Sequence, residues 1–232
     1  MMIRRDFISN RPEVIVNVFS SIDGKMTTAP GKNVMEWTAA GIDGGANEMA
    51  HRLYDELDCD GLVSGSESLI VWGKDWVELD QPIYEPQKSK AYIVFDGKGR
   101  IDWYQTEGLL VVTKEDVSDS YIQQLNEKGI QYITAGRGEY IDLPSALHKL
   151  FDLGFRRLGL SGGGTMNGAF LRQGLVDEIS FVMAPLAVGG NSTPSLFDSE
   201  DLKGLDGAAT LELKDLQRVG NGSVWLRYQV KR

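Results

Sequence analysis

The stretch of this chain most suited to chemistry is a glycine run between a short apolar strand and a helix-like segment. Ser161-Gly162-Gly163-Gly164 follows the apolar residues that begin at Leu158, and a helical pattern starts at once. Adjacent glycines lose much backbone entropy on folding. A bare backbone at a helix N-terminus directs unpaired N–H groups at one point, where a phosphate can approach closely. The run predicts an anion site, with a tight turn that binds nothing as the alternative.

The spacing of the glycines differs from the two best-known phosphate motifs. The order Gly162-Gly163-Gly164-Thr165-Met166-Asn167-Gly168 does not match G-x-G-x-x-G, and no Gly-Lys-Ser/Thr follows it. It therefore indicates neither a dinucleotide fingerprint nor a Walker loop.

Polar, glycine-containing loops follow three other predicted strands. They are Ser20 to Lys25, which contains Asp23-Gly24, then Ser64 to Ser68, and then Asp96-Gly97-Lys98-Gly99-Arg100. Because ligands bind beyond the carboxyl ends of strands in open α/β sheets, these loops predict one shared ligand edge. Plain turns and solvated loops are the alternatives, and Asp-Gly is ordinary turn chemistry.

The elements that position these loops alternate between β-rich runs and helical patterns. Strands are predicted at residues 13–19, 61–64, 91–95, 109–113, 130–134, 157–161, 179–184, 210–218 and 223–230. Helices are predicted at residues 47–57, 118–128 and 142–153, and a further one follows the glycine run. This order predicts a single α/β domain over residues 1–232. Its sheet is mostly parallel, flanked by helices, and closed by an antiparallel hairpin around Gly220-Asn221-Gly222.

The composition excludes several classes of protein. The net charge is −9 and no Lys/Arg run occurs, which argues against nucleic acid and anionic membranes as partners. The single cysteine, Cys59, and only two histidines make a disulfide framework or a zinc site implausible, and no metal is predicted. No stretch has the length of a signal-peptide core or a membrane span, so a soluble, cytoplasmic protein is expected.

Several motifs together resemble the pyrimidine reductase of riboflavin biosynthesis, the reductase half of the bifunctional deaminase-reductase family. The motifs are Arg11-Pro12, Ser21-Ile22-Asp23-Gly24-Lys25, Gly136-Arg137-Gly138 with Ile141-Asp142-Leu143, Ser161 to Asn167, Gly174-Leu175-Val176-Asp177-Glu178, and Ala184-Pro185 with Gly189-Gly190. They are spread over nearly the whole chain, and the glycine run with Gly-Leu-Val-Asp-Glu is the most specific part.

The resemblance implies an NADPH-dependent reductase with a three-layer, dihydrofolate-reductase-like fold that forms a homodimer. It implies cofactor contacts by Gly162, Gly163, Gly164, Thr165, Met166 and Asn167, by Trp37 and Thr38 beside the nicotinamide, by Ser68, and by Gly97 and Lys98, with Arg100, near the adenosine 2′-phosphate. The small-molecule substrate is a phosphorylated aminouracil, 5-amino-6-(5-phosphoribosylamino)uracil. The reaction passes a hydride to C1 of its ring-opened ribosylamino group. No deaminase domain is expected, since one cysteine cannot supply Pro-Cys-x-x-Cys.

The chain departs from the family pattern on the substrate side. Ser161 stands where members carry a glutamate, and the Asp-Asp-Pro and arginine of the substrate stretch are missing. Lys74 is expected to replace that arginine as a point charge for phosphate. Trp72 and Trp76 nearby indicate either a flatter, more apolar substrate or core packing.

No general acid is assigned from the sequence. His51 and His148 lie in predicted helices, and Asp23 is interpreted as a turn residue more than as a proton shuttle. Two alternatives to the pyrimidine reductase stay open. One is a relative that reduces another small carbonyl, imine or pterin-like compound, and the other is a non-catalytic nucleotide-binding protein of the same fold.

Overall fold

The fold consists of short strands connected by helices. The computed structural model describes residues 10–33, 35–70, 91–103 and 107–231. The strands within these residues are β1 (Glu13–Ser20), β2 (Gly61–Gly65), β3 (Ala91–Phe95), β4 (Leu109–Thr113), β5 (Gln131–Thr134), β6 (Arg157–Leu160), β7 (Glu178–Met183), β8 (Leu211–Val219) and β9 (Ser223–Val230). The helices are α1 (Met35–Ala39), α2 (Ala46–Glu56), α3 (Asp119–Glu127), α4 (Leu143–Asp152) and α5 (Gly164–Arg172), with a 3-10 turn at Leu205–Gly207. Residues 66–70 are also helical.

The described chain divides into two compact units. The first contains the described residues up to Glu13 together with those of Cys59–Leu158, and the second contains Val14–Asp58 and the described part of Gly159–Arg232. The chain passes between the units at three points, after Glu13 in β1, after Asp58, and after Leu158 in β6. That the whole chain is a single domain stays a prediction.

The first unit is a parallel α/β arrangement. Its strands β2, β3, β4 and β5 pair in that order, each parallel to the next. An apolar cluster lies between this sheet and α3, and its members are Val94, Trp103, Leu109, Val111, Tyr121, Leu125 and Ile130. Burial of these side chains stabilises the unit, at roughly 1.5–3 kcal/mol for each large aliphatic residue.

The second unit contains both kinds of strand pairing. β1 and β7 are parallel, whereas β7 with β9 and β9 with β8 are antiparallel. A register shift between Leu213 and Asp215 marks a β-bulge in β8. On one face, the amide of Asn17 donates to the carbonyl of Ala50 at 2.8 Å, which ties helix α2 to β1.

The predicted fold class, a mostly parallel sheet flanked by helices with an antiparallel hairpin at the C-terminus, is confirmed. Side chains cap two of the helices at their N-termini. The Ser118 hydroxyl accepts from the N–H of Tyr121 at 3.3 Å, and the Asp142 carboxylate accepts from the N–H of Ser145 at 3.0 Å. Helix α1 was not predicted, because five residues are too few to show a helical period.

Candidate functional site

The glycine run forms the predicted turn from a strand into a helix. β6 ends at Leu160 and α5 begins at Gly164, with Gly163 as N-cap. No side chain caps this helix, and within the described residues the N–H groups of Gly164, Thr165 and Met166 have no acceptor. These groups are among the first four of the helix, which have no intrahelical partner, and the helix dipole places partial positive charge at the same end. The arrangement fits a bound anion.

Close packing explains part of the glycine run. A Cβ at Gly164 would overlap the carbonyl oxygen of Ser195 and the carboxylate of Asp198, and a Cβ at Gly168 would overlap the Asp198 carbonyl. Gly163 differs, because its φ of −61° and ψ of 165° suit any residue. Its backbone conformation therefore does not require a glycine. The absence of a side chain at this position has a function if a ligand approaches the helix N-terminus there.

Asn167 joins the glycine run to a neighbouring segment. Its side chain is fully buried, and its amide donates to the carbonyl of Leu196 at 3.0 Å. Its Oδ1 is buried and receives no hydrogen bond from the part of the chain that the structure describes, and it would lie 2.9 Å from a Cβ at Gly162. Asn167 therefore supports the glycine run from the buried side. Ser161, at the start of the run, is exposed.

The Asp-Gly turn lies against the same segment. Lys25 forms an isolated antiparallel bridge with Ser195, and its Nζ donates to the carbonyl of Thr193 at 3.2 Å. The glycine run contacts Ser195 and Asp198, as described above, so residues 193–198 connect two of the predicted strand-end loops. These two loops of the second unit therefore contact the same segment, and their shared binding of one ligand stays a prediction.

Asp23 is held as an anion within its turn. Its carboxylate accepts hydrogen bonds from the Ser21 hydroxyl at 2.6 Å, the Val188 N–H at 3.0 Å and the Gly189 N–H at 2.6 Å. These donors, with Ser21 the strongest, lower the pKa of Asp23 to about 2. A carboxylate with such a pKa carries no proton at neutral pH, which supports its interpretation as a turn residue.

Trp37 and Thr38 are fixed by the core of the second unit. Trp37 is 1% exposed and packs edge-on against Phe19, with ring centroids 6.1 Å apart. Its indole N–H is buried and lacks an acceptor within the described residues. The Thr38 hydroxyl donates to Asp43 at 2.9 Å, and Asp43 also accepts from the N–H of Asn47 in α2. Both residues therefore have structural roles of their own, and their cofactor contacts stay predictions.

In the first unit, two more of the predicted loops meet. Arg100 donates to Glu67, and the Nζ of Lys98 lies 3.9 Å from the same carboxylate oxygen. Ser68 follows Glu67 on the helical segment 66–70 and is half-buried. Gly97 allows close packing, since a Cβ there would lie 3.2 Å from Ile141. Lys74, Trp72 and Trp76 lie outside the described residues.

The residues that hold these loops were not among those predicted from the sequence. Ser195 and Asp198 are three apart, and the Asp198 carboxylate accepts from the Ser195 hydroxyl at 2.6 Å. A Ser-x-x-Asp spacing is a signal of local capping, which was available in the sequence. Glu67 lies within the predicted polar loop from Ser64 to Ser68, but no sequence pattern shows its pairing with Arg100.

The described residues contain no cluster of metal-ligating side chains and no helix long and apolar enough to cross a membrane. His51 lies on α2 and His148 on α4, both exposed, as their helical interpretation predicts. The Nδ1 of His148 lies 3.2 Å from the carbonyl of Asn10.

Known sequences match the chain over nearly its whole length. A model of the family described as the RibD C-terminal domain matches residues 12–225. The 2,5-diamino-6-ribosylamino-4(3H)-pyrimidinone 5′-phosphate reductase of Methanothermobacter thermautotrophicus is 27% identical over 227 residues, which cover 95% of this chain and 99% of the relative. The protein of the same name from Aquifex aeolicus is 26% identical over 209 residues, which cover 88% and 90% of the two chains.

Solved structures share the fold. RibD of Acinetobacter baumannii matches 97% of this chain with a TM-score of 0.73 and 20% identity, and the chain spans 59% of that RibD chain. A pyrimidine reductase-like protein from Corynebacterium diphtheriae matches 97% of this chain and 94% of its own, with a TM-score of 0.65 and 17% identity. These likenesses support the predicted fold class.

Proposed function

The chain belongs to the RibD C-terminal domain family, and from that membership we propose that it is an NADPH-dependent reductase of a ribosylaminopyrimidine 5′-phosphate. The observation that carries the cofactor proposal is at the start of α5, where the N–H groups of Gly164, Thr165 and Met166 have no acceptor among the described residues. This donor set suits the pyrophosphate of a dinucleotide. The resemblance in sequence adds Ser68, Gly97 and Lys98, and Trp37 and Thr38, as proposed cofactor contacts.

The substrate that we propose is the 2-amino compound. Three relatives that this chain covers at 90% or more of their length, from Methanothermobacter thermautotrophicus, Aquifex aeolicus and Archaeoglobus fulgidus, are all named for 2,5-diamino-6-ribosylamino-4(3H)-pyrimidinone 5′-phosphate. RibD of Actinobacillus pleuropneumoniae is covered at only 55%. The aminouracil expected from the sequence differs at ring position 2, so an assay with both compounds decides between them. Ser161, exposed beside the glycine run, is the proposed substrate contact within the described residues.

Gly162 to Asn167 would hold the cofactor, which when bound would supply a hydride for the reduction of C1 of the ring-opened ribosylamino group. The C1–N double bond would become a single bond, and the nitrogen would gain a proton. The residues of this chain bind and orient the two molecules, and Gly163 keeps the approach to the helix N-terminus open. Asp23 is already ionised, with a pKa lowered to about 2 by its three donors, so it does not supply that proton. The reaction as proposed takes the proton from water or from the substrate.

The test is a titration with NADPH and with NADH, followed by quenching of tryptophan fluorescence, in wild type, Gly163→Asp and Gly163→Asn. Aspartate and asparagine are both good N-cap residues, so both variants should keep the stability of α5. Only aspartate adds a negative charge at the phosphate position. We expect Gly163→Asp to weaken NADPH binding at least tenfold more than Gly163→Asn does, a rough figure for one added charge.

Two results would contradict the proposal. If neither nucleotide quenches the fluorescence of the wild type, the glycine run is only a turn. If the nucleotide binds but neither pyrimidine phosphate causes NADPH oxidation, the chain is a reductase of another compound or a non-catalytic nucleotide-binding protein.

We also propose that the chain forms a homodimer, and an apolar sheet face whose β8 side chains are exposed supports this. The register of β7, β9 and β8 places alternate residues on one face. The apolar side chains that share it are Ile179, Phe181, Met183, Val224, Leu226, Tyr228, Val230, Leu211, Leu213 and Leu216. Leu211, Leu213 and Leu216 are 40%, 52% and 59% exposed. A row of exposed leucines on an apolar face is typical of a protein interface.

A further inference from the structure

The carboxyl ends of two neighbouring parallel strands carry opposite charges in the first unit. β2 and β3 end together, since Gly65 pairs with Phe95 at the last position of the register. Glu67 follows β2 by two residues, and Lys98 and Arg100 follow β3 by three and five residues. The three side chains therefore meet at the edge where ligands bind in parallel sheets.

This cluster of charged side chains contributes little to the stability of the fold. Arg100 donates to Glu67, and the Nζ of Lys98 lies 3.9 Å from the same oxygen, Oε1. The side chains of Glu67 and Lys98 are 70% and 67% exposed. Exposed ion pairs contribute little to stability, about 0–1 kcal/mol. Removal of Glu67 should therefore leave the unit folded.

The loop that carries the two cations is well anchored. Asp96 is fully buried, and its Oδ2 accepts from the N–H of Arg100 at 3.0 Å, the N–H of Ile101 at 3.3 Å and the hydroxyl of Tyr121 at 2.8 Å. These bonds fix the backbone next to Arg100. The guanidinium is thus presented from a defined position, as recognition of a phosphate requires.

We propose that Glu67 is a specificity-determining residue that lowers the preference of this protein for NADPH over NADH. The inference rests on the proposed function, in which Lys98 and Arg100 lie near the adenosine 2′-phosphate. The Glu67 carboxylate accepts a hydrogen bond from the Arg100 guanidinium, the group that would bind a 2′-phosphate. Its negative charge also repels that phosphate. NADH carries a neutral 2′-hydroxyl at this position, so the carboxylate affects its binding far less.

The size of the effect follows from Coulomb's law. A phosphate monoester carries about −1.5 to −2 charges at neutral pH. In a water-like medium, repulsion at about 5 Å between these charges and one carboxylate corresponds to roughly a tenfold change in affinity. Salt screens exposed charges, so the change should shrink at about 1 M ionic strength, where the screening length is about 3 Å.

The experiment compares the Kd values of NADPH and NADH for the wild type, Glu67→Gln, Arg100→Gln and Glu115→Gln, measured by fluorescence titration at low and high salt. Adenosine 2′,5′-bisphosphate and AMP serve as probes without nicotinamide. Glu115→Gln is the matched control, because Glu115 also pairs with an exposed arginine, Arg137, at 2.9 Å in the same unit. We expect Glu67→Gln to tighten NADPH and the bisphosphate about tenfold at low salt. NADH and AMP should change less than twofold, and Arg100→Gln should weaken NADPH selectively.

Each contrary result has its own meaning. An equal change for both nucleotides with Glu67→Gln, no change, or the same tightening with Glu115→Gln would overturn the role of Glu67 while leaving NADPH binding intact. A wild type that binds neither NADPH nor NADH would overturn the proposed function and this inference together. Unchanged thermal unfolding of each variant, followed by circular dichroism, shows that the comparison is made on folded protein.

Discussion

At the scale of single residues, hydrogen-bonded polar side chains, whether exposed or buried, hold the loops of this chain. Asp23 holds the first turn, Asn167 ties the glycine run to Leu196, and Asp96 anchors the loop that contains Arg100. The sequence indicated Asp23 as a turn residue because Asp-Gly has a local signature. It did not indicate the role of Asp96, whose partner Tyr121 is far away in sequence.

The anchoring of Asp23 predicts an acid-shifted titration. We expect NMR of the carboxyl carbon to show a midpoint near pH 2 instead of the ordinary value of 3.8. Because the folded pKa is lowered, the stability that these hydrogen bonds contribute is present above pH 3.8 and is lost as the pH falls toward 2. Ser21→Ala removes the strongest donor and should raise the midpoint toward 3.8. A wild-type midpoint near 4 would show that the three donors do not hold the carboxylate.

At the scale of elements, local patterns predicted the regular structure well. The strands Ala91–Phe95, Leu109–Thr113 and Ser223–Val230 were predicted with the bounds that the structure has. Period, turn residues and caps are properties of neighbouring residues, so a sequence shows them directly. The docking of residues 193–198 on α5 depends on contacts between Gly168 and Asp198, which no local pattern contains.

That docking predicts an unusual response at Gly168. Replacing a glycine within a helix by alanine ordinarily stabilises a protein by about 0.5–1 kcal/mol. At Gly168 the added methyl would overlap the carbonyl of Asp198, so we expect Gly168→Ala to destabilise the protein by about 1–3 kcal/mol. Urea unfolding followed by tryptophan fluorescence measures the difference. Thr165→Ala, at an exposed position of the same helix, is the control and should not lower stability. A stabilising Gly168→Ala would show that residues 195–198 do not pack on α5.

At the scale of the whole molecule, the sequence predicted the C-terminal hairpin but not the apolar face that it completes. Alternation places Leu211 and Leu213 on one face of β8, but Leu216 is an odd number of residues from Leu213. The β-bulge between Leu213 and Asp215 restores Leu216 to the face of Leu213, opposite Leu226. A bulge depends on the pairing of two strands, so the residue pattern of β8 alone does not predict it.

The exposed leucines of this face can be buried by a second copy of the chain. Two copies that pack through this face about a two-fold axis would bring Leu211, Leu213 and Leu216 of one copy against the same leucines of the other. Each contact would then occur twice, as a symmetric dimer requires. The opposite sheet face does not offer this, since Lys214 and Arg227 are paired there with the buried Glu178.

We therefore expect the wild type to elute as a dimer in size-exclusion chromatography with light scattering, and Leu213→Lys to elute as a monomer at micromolar concentration. A lysine on each of two facing leucine rows adds unpaired charge to a desolvated surface, which disfavours association. Leu205→Lys is the control, because Leu205 is 88% exposed and lies on the 3-10 turn outside the apolar face. A monomeric wild type would refute the homodimer. A Leu213→Lys variant that remains dimeric would place the interface elsewhere, since a buried contact of this face cannot accommodate two additional charges without a measurable loss of affinity.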